Sequence, residues 1–193
     1  FTDITTNVAV TAKKGSAPYP WSYVGGFAGT VKNADFLRCV NNGTVTTDGD
    51  YVSGFAAKSE TTTYTSCVNN GAITGRTKIG GFGGAVKSTK TVDSYNTGTI
   101  GLAAYNGGNQ GIGGLFGEMG YGSTLTRCYN TGAVTGDCYV GGLVGSVGSG
   151  SDAANGPSYI VDSYNSGSIT GHSDKNYCGI GGLVGKLDAS SSR

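Results

Sequence analysis

Two short signatures alternate along this chain, and their spacing constrains the fold more than any other feature. The first is a β-branched residue, two small residues, then Phe or Leu. It reads VGGFAG from Val24, VSGFAA from Val52, IGGFGG from Ile79, IGGLFG from Ile112, VGGLVG from Val140 and IGGLVG from Ile180. The second is Cys or Ser, Val or Tyr, Asn, any residue, then Gly, starting at Cys39, Cys67, Ser94, Cys128 and Ser163. Starts at 24, 52, 79, 112, 140 and 180 are 28, 27, 33, 28 and 40 residues apart, so the unit is 27 or 28 residues with insertions. A period of this size in a β-forming chain means stacked units, each burying its faces against its neighbours. The predicted fold is all-β: a parallel β-solenoid (β-helix) of about five and a half coils, three short strands per coil, with rungs about 4.8 Å apart.

Each coil divides into three arms. The first pairs an apolar residue after the glycines with another four later: Phe27 with Val31, Phe82 with Val86, Leu115 with Met119, Leu143 with Val147, and Leu183 with Leu187. Ser59 breaks this ladder in the second coil. The second arm ends at the Cys/Ser slot, and strict alternation puts Leu37, Thr65, Val92, Thr126 and Val161 on the same inward side. The third centres on Val45, Ile73, Ile100, Val134 and Ile169. Asn41, Asn69, Asn96, Asn130 and Asn165 recur at one corner, where stacked side-chain amides can form a hydrogen-bonded ladder. The Gly two residues after each Asn is expected to supply a left-handed turn there.

Composition agrees with a β chain and narrows the function. Gly is 37 of 193 residues and Pro only 3, so the glycines have fixed places and are not a low-complexity feature. There are 13 basic and 12 acidic residues, a net charge of +1, with no basic run beyond Lys13 and Lys14, which argues against a nucleic-acid partner. No apolar run reaches the roughly 18 residues of a membrane span, so no membrane insertion is expected. The opening FTDITTNVAV carries no charged leader or initiator Met and reads as mature or excised.

Chemistry-bearing residues are few. Cys39, Cys67 and Cys128 fill the inward slot that Ser94 and Ser163 occupy elsewhere, so they read as buried small thiols. Cys138 and Cys178 each stand two residues before an anchor in consecutive coils, near enough for a disulfide or for two free thiols. A Cys39–Cys67 bridge is also within reach, but both point into a packed ladder. No Cys/His spacing suggests zinc, and no calcium loop or phosphate loop occurs, so neither metal nor cofactor is expected. Arg38, Ser66, Asp93, Arg127 and Asp162 follow one another on the outward side, beside Tyr95, Tyr129 and Tyr164. Arg127 would lie between two carboxylates, a charge ladder of modest worth. An acid pair of Asp93 and Asp162 would be about 9.6 Å apart, the far edge of inverting-glycosidase spacing, with Arg127 holding both ionised. His172, the only histidine, lies in an inserted loop, so catalytic residues are expected to be none.

Insertions at about 12–22, 101–110 and 170–178 all fall between the third arm and the next glycine pair, at one corner of the rod. They gather Trp21, Tyr19, Tyr105, Asn109, Gln110, His172, Asp174 and Lys175 on one side. That corner is the place to look for ligand binding; the same loops also read as tolerated surface insertions. GSGSDAANGP, residues 148–157, is inserted at another corner. Thr44 and Thr46, Ala72 and Thr74, Ala133 and Thr135, and Ser168 and Thr170 form an outward array resembling an ice-binding face, interrupted by Gly101.

The six anchors, above all GGLVG at 141–145 and 181–185, resemble the GLUG repeat, whose Gly-Leu-any-Gly core fits Leu143 to Gly145 and Leu183 to Gly185. Phe replaces Leu in the first three copies, and Ala57 replaces the last Gly of the second. The resemblance covers 24–187, with 1–23 a partial coil and capping segment and 188–193 a tail. It implies an extracellular module of a bacterial surface protein or adhesin, and such repeats also accompany immunoglobulin A-specific metallopeptidases. The expected function is therefore a non-enzymatic extracellular repeat module, for adhesion and ligand binding or as a rigid spacer, with a host or matrix protein or a glycan as partner. The alternatives are an accessory domain of a large secreted enzyme, a carbohydrate-active β-helix, or an ice-binding-like Thr face. The final first arm has no cap and offers an open C-terminal edge for end-to-end contact.

Overall fold

The structure, a computed structural model, describes residues 1–13, 22–104, 111–148, 156–172 and 178–188. Among them are 27 strands and no helix, arranged as a parallel β-solenoid. Val, Ile, Thr and Tyr suit a pleated, half-buried surface, and each short strand adds one rung to a sheet running along the rod. Three sheets have six strands each, and the fourth has nine. One six-stranded sheet carries the Asn corner, from Thr5–Thr6 to Tyr164–Asn165, and one carries the Val/Ile arm, from Val10–Ala12 to Ile169–Gly171. The third contains the first residues of the glycine anchors, from Val24–Gly25 to Ile180–Gly181. In the first two coils the fourth side is a single ten-residue strand, Ala28–Leu37 and Ala56–Thr65. In later coils it is split, as in Gly83–Lys87 and Lys90–Val92. The coil is thus divided more finely than three arms, because both signatures pair as short strands in their own right.

Register follows the repeat. Val45 lies opposite Ile73, Ile73 opposite Ile100, Ile100 opposite Val134 and Val134 opposite Ile169. On the first arm Val86 lies between Ser59 and Met119. Ser59 is buried, and its hydroxyl shares a 2.7 Å hydrogen bond with the Tyr64 phenol, so the polar break is satisfied inside the core.

The inward assignment of Leu37, Thr65, Val92, Thr126 and Val161 is corrected by one residue. Phe36, Tyr64, Thr91 and Leu125 are the buried ones, whereas Val161 is 43% exposed. The cause is a left-handed residue between each of these positions and its Cys or Ser: Arg38, Ser66, Asp93, Arg127 and Asp162 have φ of 52°, 53°, 51°, 52° and 49°. Each kink interrupts the alternation and returns Cys39, Cys67, Ser94 and Cys128 to the interior.

The role expected of the corner glycines is corrected too. Gly43, Gly71, Gly98, Gly132 and Gly167 are not left-handed; close stacking excludes a side chain there. A Cβ on Gly71 would stand 1.9 Å from the Gly43 carbonyl oxygen, and one on Gly132 2.0 Å from that of Gly98.

The two signatures meet inside the coil. A Cβ on Gly54 would come within 2.0 Å of Asn69 Oδ1, and one on Gly114 or Gly142 within 2.4 Å of the amide carbon of Asn130 or Asn165. In the first five anchors Gly26, Gly54, Gly81, Gly114 and Gly142 therefore let the backbone close against the Asn side chain and pinch these coils into two lobes. Val45, Val52, Ile73, Ile79, Ile100, Ile112, Val134 and Val140 fill the smaller lobe. The larger holds Phe36, Phe55, Tyr64, Phe82, Leu115, Phe116, Met119, Leu125 and Leu143 with the free thiols. Its early coils are aromatic: Phe27, Phe55 and Phe82 stack at 4.7 and 4.8 Å, and Phe36 on Tyr64 at 5.0 Å.

Candidate functional site: a Tyr/Lys groove

The interior is chemically quiet. Each Asn Nδ2 of the ladder donates to the carbonyl of the Gly two residues on and to the next Asn Oδ1, at 2.7 Å from Asn41 to Asn69 and 2.6 Å from Asn69 to Asn96. Asn96 to Asn130 and Asn130 to Asn165 complete it at 2.7 and 2.8 Å. A second, exposed ladder runs alongside, with Asn42 donating to Asn7, Asn70 to Asn42, and Thr97 to Asn70. Cys39, Cys67 and Cys128 are free and buried, and burial pushes the Cys67 thiol up to about 11. A protonated thiol of that kind is a packing group rather than a nucleophile. Cys138 and Cys178 form a disulfide with Cα atoms 4.8 Å apart.

Of the residues expected at the insertion corner, only His172 is described; Trp21, Tyr19, Tyr105, Asn109, Gln110, Asp174 and Lys175 lie outside the described residues. The His172 ring is exposed, with Nδ1 3.3 Å from the Gly136 carbonyl oxygen and 3.7 Å from Asp137 Oδ1. Among the described residues, no three His, Cys, Asp or Glu side chains group as a metal site.

On the Asn-corner face Arg127 gives both hydrogen bonds to Asp93, at 2.6 and 2.9 Å, and Arg38 does the same to Asp3, at 2.6 and 2.7 Å. These bonds hold the Asp93 and Asp3 carboxyls below their ordinary range. Arg127 is thus committed to one carboxylate rather than shared between Asp93 and Asp162. Tyr95, Tyr129 and Tyr164 stack at 4.6 and 5.1 Å with tilts of 5° and 7°, so the ring faces between them are covered.

The corner that precedes the glycine pair has a different character. Tyr51, Lys78 and Tyr139 are left-handed, with φ of 51°, 48° and 55°, which keeps the following Val52, Ile79 and Val140 inside. Tyr23 stands in the same column, since Val24 pairs with Val52. Next to it on the first arm runs the column Thr30, Lys58, Ala85, Glu118, Ser146 and Lys186. Lysines and tyrosines pair across: Lys58 Nζ is 5.8 Å from the Tyr23 ring centre, Lys78 4.8 Å from Tyr51, and Lys186 5.1 Å from Tyr139. Lys78 also bonds Glu118 at 2.5 Å and donates to the Tyr51 hydroxyl at 3.2 Å. Burial opposes the Lys78 charge, but Glu118 outweighs it and raises the pKa, while burial raises that of Tyr51.

At its first rung this face opens into a groove of about 300 Å³ lined by Tyr23, Thr30, Val31, Lys32, Lys58 and Glu60. Lys32 and Glu60 pair at 2.9 Å on its rim, and that hydrogen bond lowers the Glu60 pKa. Sequence reasoning missed this groove. Its signal is the letter before the anchor, Tyr23, Tyr51, Lys78 and Tyr139, which makes YVGGFAG, YVSGFAA, KIGGFGG and YVGGLVG of four of the six copies.

Comparison with family models, curated proteins and solved structures finds no match in any of the three.

Proposed function

We propose that this chain is a non-enzymatic, extracellular binding module of the GLUG-repeat kind, part of a bacterial surface or secreted protein, that presents the Tyr/Lys face to a glycan or matrix protein. The groove at Tyr23 carries this reading: a half-buried aromatic ring, a lysine and a polar rim held on a scaffold whose neighbouring rungs are joined by backbone hydrogen bonds. A half-buried tyrosine ring, with two side-chain torsions, binds with little loss of side-chain freedom. The disulfide supports an oxidising compartment. Asp93 and Glu118 support the non-enzymatic half of the reading, since Arg127 holds Asp93 ionised and Glu118 is bound to Lys78. The same module would serve unchanged as an accessory domain of a larger secreted enzyme.

The test is retention of the whole chain on glycan and extracellular-matrix protein arrays, with assays for sugar and peptide release alongside. Saturable binding to one class, without turnover, is the expected result. Turnover that depends on Asp93 or Asp162, or no retention on any surface, would overturn the proposal.

A further inference from the structure

The geometry points to an anionic sugar as the ligand of the groove, with Tyr23 as the stacking platform and Lys58 as the charge partner; this rests on the binding-module reading above. Tyr23 is half-buried, and its ring meets Tyr51 at 4.9 Å with a 44° tilt, so the contact holds the ring without the full overlap seen in the parallel Tyr95–Tyr129–Tyr164 stack. The face of an aromatic ring is electron-rich, and the axial C–H groups of a pyranose present a complementary, weakly positive apolar surface.

Charge selects among sugars. Lys32 is matched by Glu60 at 2.9 Å and Lys78 by Glu118 at 2.5 Å. Lys58 is exposed and has no carboxylate within salt-bridge distance among the described residues; its recorded contact is with Tyr23. The groove therefore carries one uncompensated positive charge beside an aromatic ring. A neutral sugar would leave that charge unused, whereas a ring bearing a carboxylate or sulfate meets it while stacking on Tyr23. Thr30 on the groove wall and the Lys32–Glu60 pair on the rim supply donors and acceptors for ring hydroxyls. The volume, about 300 Å³, is at the small end of ligand pockets and suits a single ring rather than a large aglycone. Nucleic acid, the other common anion with flat rings, needs a run of phosphate contacts that a net charge of +1 and the single unpaired lysine lining this groove do not supply.

Titration calorimetry of the full chain with three probes distinguishes the sources: an oligogalacturonide, its fully methyl-esterified form, and a sulfated neutral oligosaccharide of equal length. One of the two anionic probes is expected to bind about tenfold or more tighter than the ester, and which one does so identifies the anion. Lys58→Gln is expected to lower that affinity about tenfold and to remove most of its salt dependence, while leaving the ester unchanged. Tyr23→Leu is expected to weaken binding of all three, and Lys90→Gln, an exposed lysine outside the groove, to change nothing. Melting temperatures establish that each variant is folded; if Tyr23→Leu is not, the exposed Lys58 still decides the matter. An ester that binds as tightly as both anionic probes, or an affinity indifferent to Lys58→Gln, overturns the assignment. Array capture of a neutral glycan or a protein that ignores Lys58 does so as well, while sparing the binding-module reading, which fails if nothing is captured or if turnover depends on Asp93 or Asp162.

Discussion

Asn96 stands at the middle of the buried ladder and uses three hydrogen bonds there: it accepts from Asn69 and donates to Asn130 and to the Gly98 carbonyl. Removing it strands a donor and two acceptors away from water, and each such group costs roughly 1–3 kcal/mol. Asn96→Ala is therefore expected to lose about 3–5 kcal/mol in urea unfolding. Asn165 is only part-buried and no later Asn bonds to its amide among the described residues, so Asn165→Ala should cost about 1–2 kcal/mol. Equal losses at the two sites would mean that the amides are independent corner caps rather than a connected ladder. The spelling of the Asn signature was enough to place this ladder, because identical residues one period apart can only touch if the coils are in register. Phe36 and Tyr64 were not legible as core, because the left-handed backbone at Arg38 and Ser66 has no marker in residue type: Arg, Ser and Asp all occupy it.

Within each of the first five coils, the glycine anchor and the Asn corner behave as one element, since a glycine there lets the backbone approach the amide opposite. Gly54→Ala drives a methyl group to 2.0 Å from Asn69 Oδ1 and 2.7 Å from the Gly81 carbonyl oxygen, neither of which has room to move. Overpacking of this kind costs about 1–3 kcal/mol or more, and loss of the folded state is the extreme expected outcome. Gly101 is the converse case. It lies opposite Thr74 in the outward threonine column, and a Cβ there meets nothing within 4 Å. Gly101→Thr is expected to gain about 0.5–1 kcal/mol, by removing backbone freedom from the unfolded chain and by adding a β-branched residue to a strand. Thermal melts of the pair check both signs together; a destabilised Gly101→Thr would show that the column is not an open face. The alternation rule worked on the Val/Ile arm, where no left-handed residue intervenes, and failed on the arm before the Cys slot, where one does.

Across the whole rod, stability is a sum of rungs and of the contacts between successive rungs, so the ends are weaker than the middle. The final coil shows this in its exposure: Ile180, Leu183 and Leu187 are 42%, 45% and 64% exposed, whereas Ile79, Leu115 and Met119 in the middle are fully covered. Cys138–Cys178 ties that coil to the one before it across 40 residues of chain. Closing a loop of that length removes unfolded-state freedom worth about 4 kcal/mol. Reduction is expected to speed amide exchange in Ile169–Gly171, Ile180–Gly181 and Val184–Leu187 by orders of magnitude while leaving the rungs around Ile73 and Ile79 protected. Uniform loss of protection would mean that the rod unfolds as a single cooperative unit. Thiol titration of the unfolded, unreduced chain should find the three free cysteines and, after reduction, five.

The sequence by itself determined the winding, its period, the residues that stack upon themselves and the adjacency of Cys138 and Cys178, whose bond the structure supplied, because a periodic chain confronts each residue with its own equivalent in the next coil. Only the tertiary structure decided which side of the kinked arm faces inward, why the corner glycines are needed, and that Tyr23 and Lys58 share a groove. Those depend on backbone handedness and on contacts across a coil, between residues whose separation in the chain carries no periodic mark.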